Sequence, residues 1–124
     1  MNDPTEYEIR TDIRFDGLET MDLPKLVADC QHDWFNQSLC RVNESVVRLG
    51  IFKGEFHFHK HDREDEFFLV LEGELQIDLE EKTVELTRHQ GILVPHGVTH
   101  RTRSAERSVV LMIEGDTVKP TGDD

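Results

Sequence analysis

A succession of short apolar runs, which begins at Leu39 and continues to the region of Glu114, is the feature that most constrains this fold. Each run is rich in Val, Ile, Leu and Phe, and Gly, Asn, Asp or charged pairs separate the runs at intervals of about eight to twelve residues, a pattern typical of an all-β sandwich or barrel. Because no helical pattern intervenes, we expect antiparallel pairing rather than parallel βαβ units. The predicted strands cover residues 39–43, 45–52, 55–60, 66–72, 74–80, 82–86, 91–94, 98–103 and 107–114.

The first 38 residues have a different pattern. They are acidic and irregular, with space for one short edge strand around Tyr7–Ile13. Asp22 followed by Pro24 predicts a capped short helix that runs towards Cys30. Trp34 is expected to pack on the barrel as a core anchor rather than to serve as a platform for a ligand.

The whole chain of 124 residues fits one domain, and a domain of this size can bury a core without disulfide or metal support. Within it we expect an N-terminal arm with the short helix over residues 1–38 and a barrel over residues 39–116. The remaining residues, 117–124, have no apolar face and are expected to form a flexible tail.

The charge balance narrows the range of partners. The net charge is −12, from 14 Lys plus Arg against 26 Asp plus Glu, and such a surface repels nucleic acid and anionic membranes. There is no basic and apolar leader and no membrane-length apolar window, so we expect a cytoplasmic protein. Cys30 and Cys40 are then expected to stay as thiols, and their spacing with His32 matches no zinc motif.

Histidines alternate along the segment GEFHFHKH, at positions 57, 59 and 61. In an extended strand this period places all three imidazoles on one face. A polar stripe facing solvent is the simplest interpretation of any one of them, but a metal ion explains the cluster, because neutral imidazole is a common ligand and alternate strand positions converge on one ion.

Two further residues complete a candidate metal site. Glu66 opens the next predicted strand, where an antiparallel neighbour could bring its carboxylate beside the histidines, and His100 follows the turn that begins at Pro95. Together with His59 and His61 they provide three nitrogens and one oxygen. Such a set leaves one or two positions on a divalent first-row ion open for water or substrate.

These residues resemble the two motifs of the cupin superfamily. The first family motif, Gly, then HxH, then Glu and a second Gly, corresponds here to Gly54, His59-Lys60-His61, Glu66 and Gly73. The second, Gly, then PxG, two residues and His, corresponds to Gly91, Pro95-His96-Gly97 and His100.

The resemblance implies a cupin-type double-stranded β-helix, which is a jelly-roll barrel, with one divalent metal ion (Zn, Fe, Mn or Ni) on His59, His61, Glu66 and His100. It also implies a small-molecule ligand or substrate and a homodimer. Cupins include dioxygenases, isomerases, lyases and binding modules, and this sequence most resembles the small single-domain cupins called mannose-6-phosphate-isomerase-like.

Several polar residues near the motifs are candidates for other roles. His57 and Glu66 are the first candidates for proton transfer, although His57 could also lie at the barrel mouth. Arg48 could point inward and anchor a substrate carboxylate or phosphate, or point outward to solvent. Arg101 and Arg103 alternate with Thr102 and are expected on the face opposite His100, towards solvent or a subunit contact.

Two functions agree with these observations. The first is a metal-dependent enzyme of isomerase, lyase or dioxygenase type, in which the ion binds oxygen atoms of a small polar molecule and stabilises charge that develops on them. The alternative is a non-catalytic cupin that binds or senses a small ligand. Spacing predicts ligands of the metal and does not name a reactant.

Overall fold

The computed structural model describes residues 7–123, which form eight strands and one short helix. In chain order the elements are β1 (Tyr7–Arg10), α1 (Leu23–Asp29), β2 (Trp34–Val42), β3 (Ser45–Glu55), β4 (Glu66–Glu72), β5 (Leu75–Asp78), β6 (Thr83–Leu86), β7 (Gly91–Val94) and β8 (Arg101–Gly115). Within these residues no helix is long and apolar enough to cross a membrane. The all-β class and the single short helix are confirmed.

The long strand β8 organises the sheet. The strand order is β1-β2-β3-β8-β4-β7, β5 pairs with β8 and with β6, and the sheet is not closed into a continuous barrel. Every pairing is antiparallel except that of β1 with β2. One half of β8, Ser108–Gly115, lies between β3 and β4, while Arg101–Arg103 pairs with β5. The jelly-roll prediction is therefore correct in an open form.

Two predicted strands are in fact one. β8 (Arg101–Gly115) contains residues 101–103 of the predicted strand 98–103 and all of the predicted strand 107–114, because the chain bulges between them and then resumes pairing with the same neighbour. Ser104 is paired with Gly54 and Ser108 with Phe52, so four residues of β8 advance opposite two residues of β3. Bulges of this kind bend a strand and redirect its two halves.

The predicted strand at 55–60 is wrong, because β3 ends at Glu55. Gly54 has a φ of +107°, a left-handed conformation that glycine adopts without a steric penalty, and the chain leaves the sheet directly after it. His57, His59 and His61 consequently lie in a connection rather than on one face of a strand, although His59 forms an isolated bridge with His100.

The interior core lies between the two halves of the folded sheet and is rich in aromatic rings. Trp34 is 4% exposed, and its ring stacks on Phe52 and Phe56 at centroid distances of 4.3 and 5.3 Å. Stacked and edge-on rings add about 0.5–1.5 kcal/mol per pair beyond the area that they bury. The predicted core anchor is confirmed.

A second core covers the outer face of the sheet. Leu39, Leu49 and Ile51 are buried there beneath side chains of the arm and of α1. The helix begins where predicted, since the Asp22 carboxylate accepts a hydrogen bond from the Lys25 N–H at 3.2 Å. β2 begins at Trp34, five residues before the predicted strand at 39–43, while the division into arm, barrel and tail stays a prediction.

A buried carboxylate joins the strands on the other side of β8. Asp78, at the end of β5, is 7% exposed and accepts hydrogen bonds from Arg101 Nε (2.8 Å), Arg103 Nε (2.7 Å) and Thr83 Oγ1 (2.6 Å). The hydrogen bond from Arg103 is the largest of the effects that hold the pKa of Asp78 well below its usual range. Both arginines are partly exposed beside it, as expected of the face opposite His100.

The Asp78→Asn substitution tests this contact. Asn keeps one acceptor but turns an NH₂ group towards an arginine, so at pH 7 we expect a loss of about 2 kcal/mol in the free energy of unfolding, as for a hydrogen bond to a charged group. Because the folded-state pKa is depressed, this stability is present above the unfolded pKa of about 3.9 and is lost as the pH falls below it.

Urea unfolding at pH 7 and pH 3 measures the difference. Glu81→Gln, in the exposed turn after β5, is the matched control and is expected to change stability by less than about 0.5 kcal/mol. If Asp78→Asn behaves like this control at pH 7, the contact does not stabilise the fold.

Candidate metal centre

Four side chains from three parts of the chain converge inside the mouth of the open barrel. His59 and His61 come from the connection between β3 and β4, Glu66 opens β4, and His100 immediately precedes β8. Each of the four residues offers one ligand atom, a histidine nitrogen or a carboxylate oxygen, and these four atoms all lie within 4.8 Å of one another. His61, Glu66 and His100 are 2%, 6% and 1% exposed, so the group could hold a metal ion away from bulk solvent.

Backbone hydrogen bonds set the positions of the histidines. His59 and His100 exchange both N–H···O bonds at 2.9 Å, and the Gly97 N–H donates to the His61 carbonyl at 2.7 Å. Gly97 has a φ of +79°, which lets the turn after Pro95 bring its amide to this point. The two cupin-like motifs of the sequence are thus joined directly by main chain.

The tautomers of two histidines are set in the same way. Nδ1 of His59 lies 3.0 Å from the His57 carbonyl oxygen, and Nδ1 of His100 lies 2.9 Å from that of Val98. A carbonyl oxygen only accepts, so each Nδ1 carries a proton; Nε2 of His59 then keeps its lone pair for a ligand, while Nε2 of His100 lies 3.0 Å from Glu66 Oε1. This is the arrangement by which outer contacts orient metal-bound histidines.

His61 supplies the clearest sign that the residues fit a metal ion. Its Nε2 is 3.0 Å from Glu66 Oε1 without the alignment of a regular hydrogen bond, and its Nδ1 has no hydrogen-bond partner among the described residues. A buried polar atom without a partner costs about 1–3 kcal/mol, and such atoms in native proteins are uncommon. A metal ion bound at the nitrogen would remove that cost.

The charges also suit a cation. Burial lowers the pKa of His59 to about 4, so this imidazole is neutral at pH 7. Burial alone would raise the pKa of Glu66, but the hydrogen bond from His100 and the nearby His61 ring outweigh it and lower the pKa. At neutral pH the group therefore offers an ionised carboxylate and a neutral imidazole, the forms that bind metals.

Glu66 is supported from behind by a second carboxyl group that the sequence analysis missed. Glu114 on β8 is paired with Glu66 in register and is 4% exposed. Burial and the neighbouring Glu66 carboxylate raise the pKa of Glu114 to about 9, which favours at neutral pH a protonated carboxyl that can donate a hydrogen bond to Glu66. The period-2 pattern of β8, in which Val110 and Met112 also point inward, could have revealed it.

Arg48 points inward, which decides between its two predicted orientations. It is 3% exposed, and its Nε lies 3.0 Å from Glu114 Oε1. The side chain therefore stands behind Glu114. It is not among the described residues that line the small chamber beside the four candidate metal ligands. The structure gives Arg48 a place in the support of Glu66, and its role as a substrate anchor stays a prediction.

His57 does not join the cluster. Its side chain is exposed, its ring centroid lies 5.4 Å from that of His59, and its Nε2 is 2.7 Å from the Thr121 carbonyl oxygen. The expectation that His57, His59 and His61 share one face of a strand is thus wrong, because the strand ends at Glu55. His57 occupies the mouth of the barrel, the alternative position that the sequence allowed.

A small chamber adjoins the four residues. Of the four, His59 and Glu66 face it, and its free space is about 30 Å³. Its remaining lining combines aromatic and apolar walls with a few polar groups: Ile9, Trp34, Asn36, Phe52, Phe56, Phe68, Thr102, Met112, Glu114 and Pro120.

Residues 51–114 match the Cupin domain family. The chain belongs to the cupin family. Two curated proteins resemble this cupin: the uncharacterized protein YdbB of Bacillus subtilis (strain 168) is 48% identical over 80 residues, or 64% of this chain and 71% of YdbB. The polyketide synthase CurC of Streptomyces cyaneus is 39% identical over 46 residues, or 37% of this chain and 30% of CurC.

Solved structures share the fold of this cupin. A cupin-2 domain protein from Shewanella frigidimarina has a TM-score of 0.73 at 26% identity, covering 77% of this chain and 94% of that one. The protein NMB1881 of Neisseria meningitidis has a TM-score of 0.69 at 23% identity, with coverage of 78% and 99%. These likenesses support the fold and leave the reaction open.

The support from Glu114 can be tested by a pair of substitutions in this cupin. Glu114→Ala leaves Glu66 without its donor, and we expect metal affinity to fall about 10- to 100-fold, the usual effect of removing an outer contact of a metal ligand. Glu114→Gln keeps an N–H donor and should retain most of the affinity. Competition with a chromophoric chelator measures both. Equal affinity of all three proteins would contradict the support role.

Proposed function

We propose that this cupin is a metal-dependent enzyme that acts on a small molecule through its oxygen atoms. The observation that carries the proposal is the set of three nitrogens and one oxygen on His59, His61, Glu66 and His100, two of which face a chamber. Catalytic metal sites keep a position open towards substrate, whereas structural sites are closed tetrahedra.

A bound divalent ion (Zn, Fe, Mn or Ni) would act as a Lewis acid on a substrate oxygen. The chain contributes the environment. Glu66 brings a negative charge whose position His100 and Glu114 restrict, and the aromatic walls of the chamber exclude water, which strengthens each electrostatic interaction inside.

Proton transfer is assigned by position. Glu66 is engaged by its neighbours and serves best as a ligand, although the sequence also made it a candidate for catalysis. His57 stands at the mouth beside His59, outside the ligand group, and is therefore our first candidate for exchanging a proton with substrate.

The reaction class is proposed at the level of isomerase, lyase or dioxygenase. Sugar-phosphate isomerisation, as in mannose-6-phosphate-isomerase-like cupins, is one member of this set. The aromatic lining and the partial match to CurC support including phenolic and diketone compounds among the test substrates.

The test is turnover by separately prepared Fe, Mn, Ni and Zn forms. Each form is incubated with sugar phosphates, hydroxy acids, catechols and 1,3-diketones, and consumption is followed by mass spectrometry. His61→Ala removes a ligand, so we expect turnover to fall more than about 100-fold, beyond the effect of outer contacts. His57→Ala should keep the metal and lower kcat about 100-fold, as for a lost acid–base group.

His96→Ala is the matched control, because His96 is an exposed loop histidine bound to Asp65, and it should behave as wild type. Metal-dependent binding of a compound with no turnover in any metal form would contradict the enzyme and favour the alternative, a non-catalytic cupin that binds or senses a small ligand.

We also propose a homodimer. One row of apolar side chains crosses the outer face of four strands through Val47, Ile113, Phe67 and Leu93, and Ile113 and Leu93 are 39% and 54% exposed. Exposed apolar rows of this kind mark interaction sites. The face suits an isologous contact, in which both subunits present the same patch.

Light scattering on a size-exclusion column tests the dimer. Wild type is expected to elute with the mass of two chains, and Leu93→Glu with that of one, because a charge would be buried at the contact. Leu18→Glu, on the exposed arm, is the control and should remain dimeric. A wild-type monomer at micromolar concentration contradicts the proposal.

The remaining expectations concern the cellular location of the protein and its partners. We propose a cytoplasmic location, in which Cys30 and Cys40, which form no disulfide in the structure, would stay as thiols. The net charge of −12 supports the absence of nucleic acid and of anionic membranes among its partners.

A further inference from the structure

Residues 117–123, named the strap, cross the mouth of the barrel after β8 ends. Their start is anchored: the Asp116 carboxylate pairs with Arg41 Nη1 at 2.8 Å, and the Asp116 N–H donates to the Glu44 carbonyl at 2.9 Å. From this anchor the chain turns across the mouth, and Val118 is 5% exposed. The segment that composition predicts to be a flexible tail thus makes specific contacts.

The strap binds the connection that carries His59 and His61. The Asp123 N–H donates to the Lys60 carbonyl at 2.9 Å, and the Asp62 N–H donates to the Asp123 carboxylate at 2.7 Å. The carbonyl of Thr121 accepts from His57 Nε2 at 2.7 Å. These bonds are local and lie at the surface, where opening is less costly than in the sheet.

Gly122 sits directly against His59. A Cβ at Gly122 would lie 2.4 Å from His59 Cβ, and the residue has a φ of +93°. Both facts require glycine here, since a larger residue would be strained and would collide. The strap therefore lies as close to the metal-ligand group as main chain allows.

The strap forms one wall of the chamber. Pro120 is part of its lining together with His59 and Glu66, and the free space of about 30 Å³ holds one or two water molecules. Small-molecule sites usually measure about 300–1,000 Å³. No organic substrate of the proposed kind fits while the strap is in place.

We propose that the strap is a gate: it must swing away from the mouth, about its anchor at Asp116, before a ligand reaches the chamber. The closed gate keeps Trp34 and the four metal-ligand residues from solvent, and the open gate exposes both. Apart from the buried side chain of Val118, its contacts are a few surface hydrogen bonds and the close approach of Gly122 to His59, so small changes in the strap shift the ratio of closed to open forms.

Trp34 provides a test that needs neither metal nor substrate. It is the one tryptophan of the chain, it is buried, and it lines the chamber with Pro120. Acrylamide quenching of its fluorescence in the metal-free protein reports access. We expect weak quenching of wild type and stronger quenching of Gly122→Ala, which pushes the strap off His59, and of a chain that ends at Asp116.

Gly17→Ala is the matched control, because Gly17 has open space around the position of a Cβ and no left-handed backbone; its quenching should equal wild type. Circular dichroism and thermal unfolding identify any variant that has lost its fold. If Gly122→Ala shifts the strap only locally, the chain that ends at Asp116 still tests the gate, because it has no strap. Quenching that is equal in wild type and in both strap variants overturns the gate.

Metal release gives an independent measurement. If release passes through the open form, its rate follows the open population, so losing the equivalent of one strap hydrogen bond should speed removal of Co(II) by EDTA up to about tenfold. Stronger Trp34 quenching in the strap variants than in wild type, in a protein that retains no metal, would support the gate and contradict the proposed metal-dependent enzyme. A release rate that is unchanged in the shortened chain, despite bound metal, contradicts the gate.

Discussion

The buried carboxylate of Glu66 is the constraint on which the site depends. A charge in this aromatic interior is tolerated only if hydrogen bonds and opposite charges compensate for lost water. His100 donates from one side, the protonated Glu114 from the other, and Arg48 stands behind Glu114. The unpartnered nitrogens of His61 leave the arrangement incomplete, and a divalent cation completes it in charge and in coordination.

The fold brings these groups together through β8. This strand carries Glu114, follows His100 and pairs with β3, β4 and β5, so the strands that bracket the ligand loop share one partner. Asp78 ties the other end of β8 through two arginines. The strap follows directly after the end of β8, so the same strand positions both the metal-ligand group and the segment that covers the chamber.

The sequence predicted what depends on pattern and missed what depends on exact geometry. Short apolar runs bounded by glycine or charged residues predicted β4 and β7 to the residue, and motif spacing brought the four metal-ligand candidates together. The histidine strand was wrong because one left-handed glycine ended β3, an effect that periodicity does not register. The Glu66–Glu114 contact and the strap were missed because each joins residues that are far apart in the chain; the period-2 pattern of β8 indicates that Glu114 points inward, but not that it meets Glu66.

Elemental mass spectrometry on protein purified without an affinity tag measures directly whether the four residues hold a metal ion. We expect about one first-row divalent ion per chain in wild type and in His96→Ala, and almost none in His61→Ala, because a three-ligand remnant binds much more weakly. A wild type that holds no metal after reconstitution, or a His61→Ala variant that keeps its full content, would contradict this expectation.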